Sequence, residues 1–142
     1  MERRKITIIG AGNVGGTTAL RLAERSLAED LVLLDIDADL ARGKALDLSQ
    51  SAPIRDYDVR IRGTGDYAET EGSHLVIITS GVPRKPGMSR DDLLSTNVKI
   101  VKAVAEQVAA HSPNARIIVV SNPLDAMPYV TYKVTQFPRE RV

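Results

Sequence analysis

The sequence has no cysteine and no tryptophan, one phenylalanine, two histidines and no excess of one charge sign. Without cysteine there can be no disulfide, no thiolate nucleophile and no zinc–thiolate centre. One Phe and four Tyr are too few to build the aromatic platform on which bases stack. Nineteen basic residues against 18 acidic ones give a net charge of +1, which offers no electrostatic footprint for nucleic acid or an anionic membrane. Long hydrophobic runs are missing as well. The charged start, Met1 to Lys5, is followed by Ile6-Thr7-Ile8-Ile9, which stops at Gly10. That is no signal-peptide core, and no stretch approaches the roughly 20 apolar residues of a membrane span. The expectation is a cytoplasmic protein with no metal, no nucleic-acid partner and no membrane partner.

What is present is an ordinary globular balance, 43% hydrophobic and 26% charged over 142 residues, enough for one domain with a real core. Short apolar runs alternate with longer amphipathic segments. Ile6–Ile9, Leu31–Leu34, Leu75–Ile78 and Ile117–Val120 are continuous and rich in β-branched residues, as suits strands buried on both faces of a parallel sheet. Val59–Arg62 alternates and carries charge, as suits an edge strand. Helical spacing marks residues 13–23, 40–48, 93–110 and about 124–135. Asp91 and Asp92 fall at the start of the third of these, where the helix dipole favours negative charge. Strand–helix alternation means βαβ units. The fold class expected is therefore a doubly wound Rossmann-type α/β sheet, in strand order 3-2-1-4-5, with ligands at the carboxyl ends of the strands.

Gly10-Ala11-Gly12-Asn13-Val14-Gly15 matches G-x-G-x-x-G and runs from a strand into a helix, the context that motif requires. Gly10 allows the tight turn, Gly12 lets a pyrophosphate approach the backbone, and Gly15 lets helix pack on strand. Free amides at the helix N-terminus would face the phosphates. Alone, the motif is equally a Gly-rich packing turn. Asp35 sharpens it: it stands 20 residues on, at the end of the second strand, able to accept from ribose hydroxyls and to repel the extra phosphate of NADP. The pair points to NAD as cofactor. Asp37 reads as a turn residue and Asp39 as a helix cap.

The fourth strand runs into Ser80-Gly81-Val82-Pro83-Arg84-Lys85-Pro86-Gly87-Met88-Ser89-Arg90, a loop with three cations punctuated by Pro and Gly. On the ligand edge of the sheet it could act as a mobile lid. Two arginines six apart suit a dianion, since each guanidinium clamps a carboxylate with two parallel bonds. The bland alternative is a solvated loop with Arg90 paired to Asp91 or Asp92. Asn122, in Ser121-Asn122-Pro123, could donate to a carbonyl oxygen and accept from a hydroxyl, or simply end a strand. Asn97 could face the cofactor or sit on a wet helix face.

These blocks, together with Leu33-Leu34-Asp35-Ile36, Gly43-Lys44-Ala45-Leu46-Asp47-Leu48, the run from Thr79 to Leu93 and Val120-Ser121-Asn122-Pro123-Leu124-Asp125, resemble in order the NAD-binding domain of the lactate/malate dehydrogenase family. The nearest likeness is to its lactate-dehydrogenase-like malate dehydrogenases. The resemblance implies that Gly10, Ala11, Gly12, Asn13, Val14, Gly15 and Asp35 hold NAD, and that Asn97, Val120, Ser121 and Asn122 contact it. It also implies that Arg90 polarises the substrate carbonyl, that Arg84 binds the distal carboxylate of malate or oxaloacetate, and that Asn122 meets the substrate. Lactate dehydrogenases usually carry an uncharged residue at the Arg84 position. A cis bond before Pro123 is implied too.

The family's His general acid/base, its Asp partner and a third Arg lie beyond the matched blocks. His74 precedes the fourth strand, opposite the ligand edge, and His111 sits near a helix end; neither fits that role. The sequence stops near where the family's sixth strand begins. Residues 1–142 are thus expected to be a cofactor domain lacking the catalytic domain, inactive alone, with an unpaired fifth-strand edge, from an enzyme that forms homo-oligomers. A lactate or other 2-hydroxy-acid dehydrogenase and a non-catalytic NAD(H) sensor are the alternatives.

Overall fold

A computed structural model describes residues 4–142. Five short strands, β1 (Lys5–Ile9), β2 (Asp30–Leu34), β3 (Arg60–Thr64), β4 (Leu75–Ile78) and β5 (Arg116–Val119), form one sheet. Its order is β3-β2-β1-β4-β5, and every pairing is parallel. Three helices connect strands, α1 (Asn13–Glu24), α2 (Ala38–Arg55) and α3 (Arg90–His111), and a fourth, α4 (Met127–Thr135), follows β5. The doubly wound order expected from the apolar runs is therefore present, and the winding passes from one side of β1 to the other between β1 and β4, where such sheets open a ligand crevice.

The strands are apolar at successive positions because both faces of the sheet are covered. Side chains alternate along a strand, and the alternation sorts them into two cores. Ile6, Ile8, Leu31, Leu33 and Ile77 pack with Ala19, Ala23, Ala41, Ala45 and Leu48 of α1 and α2. Ile9, Leu34, Val76 and Ile78 pack with Val104 and Val108 of α3, and with Ile117 and Phe137. Removing such a buried aliphatic side chain costs about 2–5 kcal/mol, so each face contributes on the scale of the whole fold's net stability.

The two edges are finished differently. At β3, the buried carboxylate of Asp30 accepts from Arg60 Nη2 at 2.9 Å and Arg62 Nη2 at 3.1 Å, and Arg62 also reaches Glu69. Burial raises the Asp30 carboxyl, but the two guanidinium groups outweigh it and hold it below the usual carboxylate range. At β5 the outer side lies open among the described residues, with Ile118 50% exposed.

Helix bounds differ from the periodicity in instructive ways. Asp37, and not Asp39, caps α2: its Oδ1 accepts from Leu40 N at 3.0 Å, while Asp39 lies one residue inside and pairs with Arg42. The side chain three residues before a free amide is the one placed to reach it. The same helix runs on to Arg55 through Pro53, closing on Asp56 in the left-handed region. α3 starts at Arg90 because Ser89 and Asp92 form a reciprocal capping box.

Candidate functional site

The glycine loop leaves β1 at Gly10, whose φ of +110° is open to a residue without a side chain. Its amide donates to Leu34 O at 2.8 Å, tying the loop to β2. A Cβ placed on Gly15 would lie 1.8 Å from the Gly10 carbonyl oxygen, so helix and strand meet here at backbone distance. Gly12 is the N-cap of α1 and no side chain caps the helix. Gly12, Asn13 and Val14 are exposed, and a Cβ on Gly12 would meet nothing within 4 Å. The positive end of a 12-residue helix is thus presented bare at the carboxyl edge of the sheet, a ready anion site.

Asp35 follows β2 and is half-buried. Its Oδ2 accepts from Ala11 N at 2.6 Å and its Oδ1 from Asp37 N at 3.0 Å. The carboxylate therefore orders the glycine loop as well as facing the ligand edge. Each oxygen keeps a lone pair for a further donor. Tyr67, in a short turn after β3, is a neighbour that periodicity did not single out. Burial and the charge of Asp35 push its phenol up to about 12, so its hydroxyl stays protonated beside that carboxylate. The only trace in the sequence is its place just after a strand's carboxyl end.

A cleft of about 650 Å³ opens beside the loop, lined by Gly12, Asn13, Val14 and Gly15, by Thr79 to Arg84, and by Leu93, Asn97, Val120, Ser121 and Asn122. The structure thus brings together most residues singled out from the sequence. Gly10, Ala11 and Asp35 stand behind this lining. Arg90 stands outside it, exposed in the first turn of α3. A cation there opposes the helix dipole, and Asp91 and Asp92 of the same turn offset it. Arg84 is exposed, and its Nε donates to Met88 O at 3.1 Å.

Asn97 is only 1% exposed, so it is on no wet face. Its Nδ2 donates to Val82 O at 3.2 Å and Asn122 O at 2.7 Å, and its Oδ1 accepts from Val82 N at 2.9 Å. Both amide hydrogens are spent on the protein. The residue joins the loop after β4 to the loop after β5. Ser121 does the same with a hydroxyl donated to Ser80 O. The bond between Asn122 and Pro123 is cis. His74 begins the approach to β4 at the amino edge, where its Nδ1 accepts from Lys5 N at 3.2 Å. His111 ends α3 and stacks on Tyr67. Neither histidine lines the cleft.

The site fits a dinucleotide on its own geometry: bare helix amides, an acidic residue at the second strand, and apolar walls at Val14 and Val120, 56% and 41% exposed. Comparison with known proteins agrees. A family model described as lactate/malate dehydrogenase, NAD binding domain, matches residues 4–142. Malate dehydrogenase of Rhodopirellula baltica is 59% identical over 144 residues, covering all of this chain and 45% of that protein. The structure of malate dehydrogenase from Archaeoglobus fulgidus in complex with NADH superposes with a TM-score of 0.93 at 38% identity, over 97% of this chain and 47% of that one. A Cryptosporidium parvum lactate dehydrogenase complexed with lactic acid and nicotinamide adenine dinucleotide superposes equally well, at 42% identity over all of this chain and 44% of that one. The chain spans somewhat less than half the length of the curated relatives it matches.

Proposed function

The chain belongs to the lactate/malate dehydrogenase family, as its NAD-binding domain, and from that premise we propose that it holds NAD(H) for the interconversion of malate and oxaloacetate. The observation that carries this reading is the presence of Arg84 in the same cleft as the bare amides of Gly12–Gly15. A guanidinium in the lining of that cleft suits a second carboxylate on the substrate, which a monocarboxylate such as lactate does not carry.

In this reading the diphosphate lies on the amides that open α1, and Asp35 accepts from the adenosine ribose. NAD supplies the hydride acceptor. Arg84 takes the distal carboxylate, and Arg90, brought in by movement of the loop, polarises the carbonyl oxygen. Asn122 donates to the substrate from the β5 side. Asn97 and Ser121 hold the two loops in register. The 142 residues contain two histidines, both away from the cleft, so the proton-transferring group is not among them. Residues 4–142 therefore serve as a cofactor domain that binds without turning over. A cytoplasmic homo-oligomeric enzyme with a small dicarboxylate as its partner completes the proposal. Among the described residues no helix is long and apolar enough to cross a membrane, and the even charge of the chain gives nucleic acid no purchase.

The test is direct titration. The chain has no tryptophan, so bound NADH can be read from its own emission. NADH should bind with NADPH much weaker, and the pure chain should not oxidise NADH when oxaloacetate is added. Oxaloacetate-dependent turnover by the pure chain, or equal affinity for NADH and NADPH, would overturn the reading.

A further inference from the structure

Lys44 lies on α2, 32 residues from the glycine loop, and nothing in the motif asks for it. Its stem crosses Gly16, where an added Cβ would meet Lys44 Cδ at 3.3 Å and Nζ at 3.4 Å. The ammonium then donates to the Gly12 carbonyl oxygen at 3.0 Å. Asp47 lines the same small depression, and the hydrogen bond of the cation goes to the loop. Gly12 O already accepts the first bond of α1, from Gly16 N at 2.9 Å, so this oxygen carries two donors.

The carbonyl of Gly12 and the N–H of Asn13 belong to one peptide unit. A cation on the oxygen of a peptide draws electron density from its nitrogen and makes the N–H a stronger donor, as bonds in a chain polarise one another. Asn13 carries the first amide of α1, is exposed, and lines the cleft beside the loop. The placement is also electrostatically costly by itself. A lysine beside the N-terminus of a helix faces the positive end of its dipole, a placement that an anion bound at that end would offset. Two separate facts thus bear on the amides that open the helix: the doubly bonded Gly12 oxygen, and a cation held at the end of the helix that already carries positive charge.

Resting on the NAD(H) reading, we propose that Lys44 is a positioning residue for the cofactor diphosphate, acting through the Gly12–Asn13 peptide and without touching the phosphates. It fixes the turn at Gly12 and strengthens the amide that meets the anion. Its contribution is confined to ligands that carry phosphate.

The experiment compares NADH and adenosine on the same chain, with Lys44→Met, Lys44→Gln and Lys44→Arg. Losing one charge-assisted bond to the loop should weaken NADH about tenfold in Lys44→Met and Lys44→Gln. Adenosine, which has no phosphate, should change by less than about twofold. Lys44→Arg, which keeps a cationic donor, should recover most of the NADH affinity, and added salt should erode NADH binding less steeply in the Met and Gln variants than in the parent. If NADH affinity is unchanged in Lys44→Met, or if NADH and adenosine fall together, Lys44 has no such role. If the parent chain binds no NADH, the cofactor reading itself fails, which the parent titration shows before any variant is made.

Discussion

The glycine loop and the basic loop after β4 lie on one cleft and are built in opposite ways. The glycine loop is laced to everything around it. Gly10 N donates to Leu34 O, Ala11 N to Asp35, Thr79 Oγ1 to Gly10 O, and Lys44 Nζ to Gly12 O. The basic loop is held firmly at its root, where Asn97 grips both backbone groups of Val82. Past Val82 its own bonds are local, Arg84 Nε to Met88 O and Met88 N to Lys85 O, and its cations are exposed. The cofactor end is preformed and gives up little freedom when it binds. The basic loop, proposed above to meet the substrate, carries exposed charges on a segment with few ties beyond its root, as suits a loop that closes over a ligand.

If that contrast is right, damage should grade from one region to the other. The largest effect belongs to Gly15→Ala. Its methyl has no room beside Gly10 O, so NADH binding should vanish and the unfolding midpoint should fall by at least roughly 5 °C, read by thermal melt and titration. Asp35→Ala comes next. It removes the proposed ribose acceptor and strands the Ala11 amide, and should weaken NADH about 10- to 100-fold. Asp35→Asn, which can still accept from Ala11, should recover part of that while narrowing the preference for NADH over NADPH. Asn97→Leu sits at the join of the two regions. It should weaken NADH about tenfold and leave ADP-ribose, which lacks the nicotinamide, nearly unchanged. Equal losses for both ligands would mean that Asn97 supports the whole cleft. The smallest effect is expected of Arg84→Gln, with NADH affinity within about twofold of the parent and an unaltered melt. A large loss there would mean that the basic loop is part of the cofactor site after all.

Much of this was legible in the sequence because the signals were local. Continuous β-branched runs reported burial on both faces, G-x-G-x-x-G with Asp35 reported the cofactor, and Asp91-Asp92 reported a helix start. What was hidden depends on three-dimensional neighbours. Whether Asp37 or Asp39 caps α2 turns on one residue of helix phase. Pro53 does not stop α2, since it falls near the helix end and Asp56 closes the last turn. Asn97 looks like any polar residue on an amphipathic helix until two loops far along the chain close over it. Lys44 cannot be told from a solvated lysine without knowing that Gly16 leaves it a path.

One consequence concerns attempts to change the coenzyme this domain accepts. The carboxylate that would discriminate against a 2′-phosphate is the same one that completes the turn at Ala11, a residue with no exposure of its own. A redesign that merely deletes the charge leaves a buried N–H without an acceptor, at a cost of about 1–3 kcal/mol. Preference and loop shape are thus inherited together. Any successful exchange needs two edits, a cation for the added phosphate and a new neutral oxygen delivered to Ala11. Serine or asparagine at position 35, paired with a basic residue at the fully exposed Ile36, is the shortest such route.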